Sequence, residues 1–402
     1  MQRQQTMAAT VQKEGRLFLA ALQQVEYGRM VIVTPDNVVL TFAGWKKGPS
    51  AHLRLYDWKA LDALVVRGEV GFAEAYIEGQ WDSENLLALL TFGLVNSQSL
   101  ERFFHGKPWQ AIWLYLQNAM NGNSLRGSRR NVVAHYDLGN DFYALWLDKG
   151  MTYSCGLFDG DRTRTLELAQ QAKYYRILHK LGAKPGEHIL EIGCGWGGFA
   201  ETAAREGLYV TAITLSDRQA LYAQERITEA KLDKRVSVEL MDYRQLEGSF
   251  DHIVSIGMFE HVGERYWPVY FRTIREHLKP GGKAMIQSIT LDDYLFETLR
   301  GYSGFIEKYI FPGGMLPSKA RFCAVAAREK LECEEIYGFG QDYIITLEHW
   351  LSRFEAQKEN IKAIGGYDEA FLRLWRFYLC SCIASFSSQR TDVMQALLTH
   401  AE

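Results

Sequence analysis

The sequence predicts an α/β protein with a doubly wound, mostly parallel sheet, preceded by a smaller α+β domain. Five near-continuous apolar runs separated by helical patterns predict the sheet. Strands that are buried on both faces and joined by helices are typical of parallel doubly wound sheets. A glycine-rich turn follows the first of these runs, at the edge where such sheets bind ligands.

The N-terminal block, which ends near residue 117, mixes strand and helix patterns. Two short runs, MVIVTP and NVVLTFAG, predict a strand pair, and AHLRLYD predicts a third strand. Helical patterns follow around residues 58–67 and 84–95. These patterns together predict the smaller α+β domain.

A linker is predicted at residues 118–131, NAMNGNSLRGSRRN, which are rich in Asn, Gly, Ser and Arg. Its arginine cluster (Arg126, Arg129 and Arg130) is typical of a solvated segment and would also suit lipid phosphate. The predicted division is therefore a docking domain at 1–117, the linker, and a catalytic domain at 132–402.

The second block alternates strand and helix patterns. Its strand-like runs are HILEIG, YVTAITLS, VSVELMD, FDHIVSIG and KAMIQSI. The helical patterns between them are GGFAETAAREG, RQALYAQERITEA and PVYFRTIREHLK. The tail is predicted to return to helix, in TLEHWLSRFEAQKENIKAIG and DEAFLRLWRFYLCSCIASFSS. The apolar and aromatic face at 371–386 is typical of core and would also suit a homodimer contact.

Composition limits the class of protein. The formal net charge of −3 gives no reason to expect a nucleic-acid partner. No apolar run reaches the ~18 residues that cross a bilayer, and the N-terminus lacks the apolar region of a secretory signal. Six cysteines without CxxC pairs predict neither a metal site nor a disulfide framework. A reducing cytoplasm fits this pattern.

The glycine turn, LEIGCGWGGFAE at Leu190–Glu201, also satisfies G-x-G-x-x-G, which alone is a weak sign of dinucleotide binding. Glycine at this place lets a ligand approach the backbone closely. A dinucleotide site also needs an acid for the ribose about 20 residues further on. Asp217 is available but lies past the strand end, where Ser216 or Asp217 would more simply cap a helix. A dinucleotide and another adenosine-bearing ligand both remain open at this point.

Longer motifs indicate the family. They occur in this order: TYSC from Thr152, GCGWGG from Gly193, ITLSDRQ from Ile213, FDHIVSIGMFEHVG from Phe250 and KYIFPGGMLPS from Lys308. Together they resemble the cyclopropane-fatty-acyl-phospholipid synthase family, which includes the mycolic acid cyclopropane synthases and uses S-adenosylmethionine. The resemblance covers the chain from about residue 131 onward, and extends weakly into the N-terminal block through RGEVGFAEAYIEGQWD. It implies a class I, Rossmann-like methyltransferase fold and a methyl donor in the glycine turn.

The resemblance also implies which residues bind S-adenosylmethionine. Their positions match the family's Tyr-Ser pair, its glycine turn, its T-L-S-x-x-Q segment and the segment that frames the adenine. In this chain they are Tyr153, Ser154, Gly193, Gly195, Gly197, Thr214, Gln219, Asp242, Tyr243 and Arg244.

The family is thought to use a bound bicarbonate as the base that removes a proton after methyl transfer. The residues that match its bicarbonate cage are Cys155, Glu260, Ile289 and Tyr343, and Cys382 matches a cysteine of the family's C-terminal helix. The position of Glu260, just past an apolar strand, independently places a carboxylate at the ligand edge of the sheet. Cys155 and Cys382 have no basic cluster beside them, as is typical of small buried residues.

One position departs from the family pattern. The fifth strand reads AMIQSITL, so Gln287 stands where the family carries a cage histidine. Glutamine donates and accepts hydrogen bonds but cannot become cationic. We therefore expect either ring closure to cyclopropane or proton loss elsewhere. The second outcome would give a methylene-branched chain that a separate reductase saturates.

The activity implied by the resemblance is methyl transfer to the cis double bond of a phospholipid acyl chain. The protein would then work in the cytoplasm, docked at the inner face of the membrane through its N-terminal block or linker. Similar scaffolds methylate small amines, and fold alone does not separate the two activities. A nicotinamide-dependent oxidoreductase and a non-catalytic lipid-binding module are the other classes. Glu260, Tyr343 and the full glycine turn argue against the last.

Overall fold

The computed structural model describes residues 13–104, 123–124, 127–128, 131, 138–300 and 303–401. Most of the predicted linker, with Arg126, Arg129 and Arg130, lies outside these residues. Among the described helices, none combines the length and the apolar character that a membrane crossing needs.

The first part of the chain contains α1 (Lys13–Ala21), β1 (Tyr27–Val33), β2 (Val39–Ala43), β3 (Lys46–Leu55), α2 (Lys59–Ile77), β4 (Trp81–Asp82), α3 (Leu86–Val95) and α4 (Ser97–Phe104). The middle contains α5 (Asn140–Ala144), α6 (Leu166–Leu181), β5 (His188–Ile192), α7 (Gly198–Arg205), β6 (Tyr209–Thr214), α8 (Asp217–Glu229), β7 (Val236–Leu240), β8 (Phe250–Ile256), α9 (Trp267–His277) and β9 (Leu278–Leu291). The last part contains α10 (Asp293–Leu299), α11 (Phe305–Tyr309), α12 (Lys319–Arg328), β10 (Leu331–Gly338), α13 (Gly340–Ala356), α14 (Lys358–Ile364), α15 (Glu369–Ser387) and β11 (Thr391–His400).

The chain forms two compact units, and the first is discontinuous in sequence, with residues 1–120, 301–310 and 358–388. Its four-stranded sheet has the order β2-β1-β3-β4, in which β1 pairs with β2 antiparallel and with β3 parallel. Met30 and Ile32 of β1 are buried, whereas Arg29 before them is exposed and Val31 between them is only half-buried. This alternation is the period-two pattern of a half-buried strand, and it confirms the predicted strands of the N-terminal block.

Buried charges tie the later segments to this first unit. Glu74 of α2, which is 8% exposed, accepts hydrogen bonds from Lys308 (2.6 Å) and Tyr309 (2.5 Å) of α11. Arg373 of α15 donates to the Trp81 carbonyl (2.8 Å) and pairs with Asp82 (2.9 Å). The predicted boundaries divide the chain into successive blocks, so they place 301–310 and 358–388 in the catalytic domain rather than in this unit.

The second unit, residues 121–300, 311–357 and 389–402, contains a seven-stranded sheet in the order β10-β11-β9-β8-β5-β6-β7. The strands from β9 to β7 are parallel, which confirms the predicted doubly wound α/β fold. From β5 the chain moves outward to β6 and β7, then returns to β8 on the other side of β5. The strand order therefore reverses at β5 and β8, and ligands bind at such a switch point in open parallel sheets.

Apolar cores cover both faces of this sheet. On one face Ile189 and Met285 pack with α6, α7 and α8, and on the other Leu190 and Ile286 pack with α9 and α12. Because successive strand residues point to opposite faces, Gln287 and Ile289 share the Met285 face, toward α6.

The tail differs from the prediction in one respect. Sequence patterns indicate only helix there, whereas the structure adds two strands: β11 pairs with β9 antiparallel, and β10 pairs with β11 antiparallel at the sheet edge. In β10, LECEEIYG alternates exposed residues with buried or half-buried ones and carries three glutamates. This charge hides the strand pattern, because strands are usually poor in glutamate.

Candidate active site

The turn after β5 has a backbone that favours glycine. Gly193, Gly195 and Gly197 have φ values of +84°, +52° and +81°. The amides of Gly193 and Cys194 both donate to the Ile213 carbonyl at 3.0 Å, which fixes the turn to β6. A Cβ at Gly193 would lie 3.0 Å from the Met258 side chain, whereas one at Gly195 would meet no atom within 4 Å. Gly195 therefore faces open space, and that space is a cavity.

The cavity lies at the carboxyl ends of β5, β6 and β8, within the second unit. Residues from the turns that follow these strands and from the segment before α6 line it. The lining residues are Met151, Thr152, Tyr153, Ser154, Tyr174, Glu191, Ile192, Gly193, Cys194, Gly195, Trp196, Gly198, Ile213, Thr214, Leu215, Gln219, Met241, Tyr243, Ile256, Gly257, Met258 and His261. The sheet thus brings together residues that are more than 100 positions apart in sequence.

Seven of the ten residues predicted to bind the cofactor line this cavity, and they are Tyr153, Ser154, Gly193, Gly195, Thr214, Gln219 and Tyr243. The Thr214 hydroxyl donates to the Gln219 side chain (2.9 Å), and Ser216 caps α8 by accepting from the Gln219 amide (3.3 Å). The cap therefore comes from Ser216, and Asp217 is the first residue of the helix.

The other three predicted cofactor residues lie beside the cavity without lining it. Gly197 is the N-cap of α7. Asp242 pairs with Arg244 at 2.6 Å, and Arg244 also donates to the Asn123 carbonyl at 3.0 Å. Both side chains are thus committed to holding the segment around Tyr243.

Sequence reasoning missed several of the polar groups in the cavity, notably Glu191 and Tyr174. Glu191 is 2% exposed, and its Oε2 has no hydrogen-bond partner among the described residues. Burial raises the pKa of Glu191 well above its usual range. Its place near the end of an apolar strand, two residues before Gly193, was the signal available in the sequence. His261 also lines the cavity, and burial lowers its pKa to about 4.

An aromatic group surrounds Tyr153. Its ring centroid lies 5.6 Å from that of Tyr143, 5.5 Å from Trp146 and 5.2 Å from Trp350. Tyr343 of α13 packs edge-on against Trp350 at 6.0 Å. Aromatic faces attract cations, so this group can stabilise positive charge close to the cavity.

Glu260 lies in the short turn after β8, between Met258 and His261, which both line the cavity. Its side chain is 6% exposed, and its Oε1 accepts a hydrogen bond from the Ile289 amide at 2.6 Å. Its Oε2 is buried and has no hydrogen-bond partner among the described residues. Burial raises the pKa of Glu260 to about 7. A carboxyl group in this state can exchange a proton near neutral pH.

None of the predicted catalytic residues, Glu260 included, is among the residues that line the cavity. Cys155 is fully buried, and burial raises the pKa of its thiol well above the usual range, which argues against a nucleophile. Gln287 is 1% exposed and accepts from Gln395 at 3.0 Å. Cys382 lies in α15 of the first unit, where burial raises the pKa of its thiol to about 12. The catalytic roles of these residues stay predictions.

A parallel sheet with a glycine turn at its switch point and a cavity built around that turn fits a class I S-adenosylmethionine-dependent methyltransferase. The residues present fit that cofactor, since Gly195 leaves room beside the backbone and Glu191 offers an unpartnered carboxyl oxygen. Residues 123–396 match the family model described as mycolic acid cyclopropane synthetase. The chain belongs to this family.

Known proteins of the family resemble the chain over most of its length. It is 36% identical to tuberculostearic acid methyltransferase UfaA1 of Mycobacterium tuberculosis, over 83% of this chain and 80% of that protein. It is also 36% identical to the cyclopropane-fatty-acyl-phospholipid synthase of Escherichia coli K12, over 90% of this chain and 92% of that protein. The crystal structure of mycolic acid cyclopropane synthase CmaA1 with SAH and CTAB matches with a TM-score of 0.63 and 32% identity, covering 67% and 97% of the two chains.

Proposed function

We propose that this protein transfers a methyl group from S-adenosylmethionine to the cis double bond of an unsaturated phospholipid acyl chain and closes a cyclopropane ring. The observation that carries the proposal is the buried carboxyl of Glu260, in a turn whose flanking residues line the cofactor cavity. Amine methylation needs little more than a positioned lone pair. Ring closure also needs proton removal beside a carbocation.

The chemistry assigns work to two parts of the site. The cofactor supplies an electrophilic methyl group when bound. An alkene is a weak nucleophile, so the apolar walls must hold it in contact with that group and keep water out. The alkene that takes up the methyl group becomes a carbocation, which the rings of Tyr153, Trp350 and Tyr343 can stabilise. Loss of a proton from the new methyl group leaves the electron pair that closes the ring.

We propose bicarbonate as the bound base. Among the described residues, the group on which its binding depends is Glu260. With a pKa near 7, this carboxyl is protonated part of the time and can then donate from its unpartnered oxygen to an anion. The Ile289 amide already donates to Glu260, and Gln287 pairs with Gln395. Of these two cage positions, Ile289 would therefore act on the anion through its bond to Glu260. Gln287 would offer only a neutral amide.

A branched product is the second candidate outcome, and Gln287 favours it. Charge-assisted hydrogen bonds are roughly twice as strong as neutral ones, so a neutral amide should hold an anion less tightly than a histidine. Of the two relatives named above, one is a methyltransferase and the other is a cyclopropane synthase. A methylene-branched product would require the separate reductase. The reductase and a homodimer stay predictions.

Gln287→His should move the product ratio toward the ring, because an imidazole can carry charge and hold the anion. Gas chromatography of lipid methyl esters from strains with each form measures the ratio, and added bicarbonate should raise the ring share of the wild type. Gln287→Met is the control, since it removes the bond to Gln395 without adding charge. Cyclopropane alone, in equal yield from wild type and Gln287→His, would remove the branched-product hypothesis.

We further propose that the protein docks on the inner face of the membrane through the β2–β3 connection of the first unit. Trp45, which is 76% exposed, is followed directly by Lys46 and Lys47. An amphipathic ring beside lysines suits an anionic lipid surface, where a basic residue contributes about 1 kcal/mol.

Trp45→Ala should weaken binding to vesicles that contain anionic phospholipid by roughly tenfold, because burying a large apolar side chain contributes about 1.5–3 kcal/mol. Sedimentation with vesicles measures this affinity. Tyr294→Ala is the matched control, because Tyr294 is also 76% exposed but follows Asp292 and Asp293. Wild-type sedimentation of Trp45→Ala, or an equal loss in Tyr294→Ala, would place docking elsewhere.

A further inference from the structure

Lys173 of α6 is fully buried, at 0% exposure. Its Nζ donates to the Ser154 hydroxyl and to the Gln170 side-chain oxygen, both at 2.7 Å. Lysine is almost never fully buried unless it is paired. The catalytic argument above does not use this residue, so its burial requires another reason.

α6 holds the segment before Cys155 through three side chains. Besides Lys173, Gln170 donates from its amide nitrogen to the Ser154 carbonyl at 2.8 Å. The hydroxyls of Tyr174 and Thr152 lie 3.1 Å apart. Thr152, Ser154 and Tyr174 line the cofactor cavity, whereas Lys173 does not. Lys173 can therefore affect the cofactor only indirectly, through its neighbours.

We propose that Lys173 is a positioning residue that fixes the Ser154 hydroxyl in the cofactor cavity and thereby sets cofactor affinity. The Lys173 Nζ satisfies one side of the hydroxyl and leaves the other side for the ligand. The bond to Gln170 in turn fixes the ammonium, and Gln170 also holds the Ser154 backbone. The inference concerns cofactor binding, so it does not depend on the acyl substrate.

The charges around Lys173 come from every element packed against it. Asp148 and Cys155 face it from the loop before α6, Glu191 faces it from β5, and Tyr174 lies beside it on the helix, with the Nζ 4.6 Å from the ring centroid. Burial lowers the pKa of Lys173 to about 7, and the neighbouring acids oppose that shift. A substitution at Lys173 therefore disturbs buried acids as well as Ser154, and the test must separate the two effects.

A double-mutant cycle between Lys173→Met and Ser154→Ala makes this separation. Calorimetric titration with S-adenosylhomocysteine measures affinity for all four forms. Lys173→Met should weaken binding roughly tenfold, which is usual for the loss of a hydrogen bond to a charged group. In the Ser154→Ala background the same substitution should cost about twofold or less, because the hydroxyl that it positions is already absent. Independent losses that multiply, or an unchanged affinity in Lys173→Met, would overturn the proposal.

Lys173→Gln provides the conservative rescue and covers the case in which Lys173→Met does not fold. Glutamine keeps a donor for Ser154 without the buried charge. We expect its affinity to stay within about threefold of wild type, and to show no difference from lysine in the Ser154→Ala background. An equal loss in both backgrounds would mean that Lys173 supports the fold and does not act through Ser154.

Discussion

Glu260→Gln should lower turnover by about 10²- to 10⁴-fold, the range typical for loss of proton-transfer catalysis, because the proposed base loses the ionisable group that holds it, while S-adenosylhomocysteine affinity changes little. The substitution keeps the shape and removes the ionisable group. The amide can still accept from the Ile289 amide, which now bonds Oε1 at 2.6 Å, so the turn after β8 should hold its place. Single-turnover kinetics with labelled donor and calorimetric titration measure the two quantities separately.

The pH dependence of stability provides an internal control for this prediction. Because burial raises the pKa of Glu260 from 4.5 to about 7, its proton stabilises the folded state below pH 4.5, and this contribution is lost as pH rises through 7. At about 1.4 kcal/mol per pKa unit, Glu260→Gln should be more stable than wild type above pH 7 by up to about 3 kcal/mol. Thermal unfolding at acid and alkaline pH measures this difference.

A variant that is more stable and yet inactive separates catalysis from folding. Glu187→Gln is the matched control, since Glu187 precedes β5 at the opposite end of the parallel strands and pairs with His252 at 3.2 Å. It should keep wild-type turnover. If Glu260→Gln turns over as fast as wild type, Glu260 does not belong to the catalytic group, and the main support for ring closure is lost.

The central sheet could be predicted from the sequence because its inner parallel strands are largely buried on both faces and read as apolar runs. HILEIG and YVTAITLS correspond to β5 and β6, with the expected helix α7 between them. The strands β10 and β11 were missed for the opposite reason. β10 lies at the sheet edge, and its glutamates obscure the alternation. A strand that depends on a partner from the end of the chain carries little local signal.

The site was only partly predictable, because motif positions indicate backbone geometry better than side-chain contacts. The glycine turn was found from the positive φ that glycine tolerates. By contrast, nothing in the run QQAKYY shows that Lys173 would reach Ser154, since that contact depends on how α6 packs on the sheet. The sequence similarly does not show which residue Gln287 contacts. Only the register of β9 with β11 places Gln395 opposite it.

Gly195→Val should weaken cofactor binding by roughly fivefold to a hundredfold or more, because its side chain would enter the cavity that the cofactor needs. At this position a Cβ meets no atom within 4 Å, so the added volume fills open space rather than protein. Forcing an extra side chain into a well-packed complex costs typically about 1–3 kcal/mol. Calorimetric titration with S-adenosylmethionine measures the loss.

Backbone strain must be separated from this steric effect. The φ of +52° at Gly195 disfavours any L-residue, and a left-handed conformation costs roughly 1–2 kcal/mol. Gly281→Val is the matched control, because Gly281 has a φ of +76° and equally open surroundings but lies at the amino end of β9, away from the cavity. Both variants should lose similar stability, and only Gly195→Val should lose affinity. A folded Gly195→Val that binds with wild-type affinity would show that the turn is not the binding site.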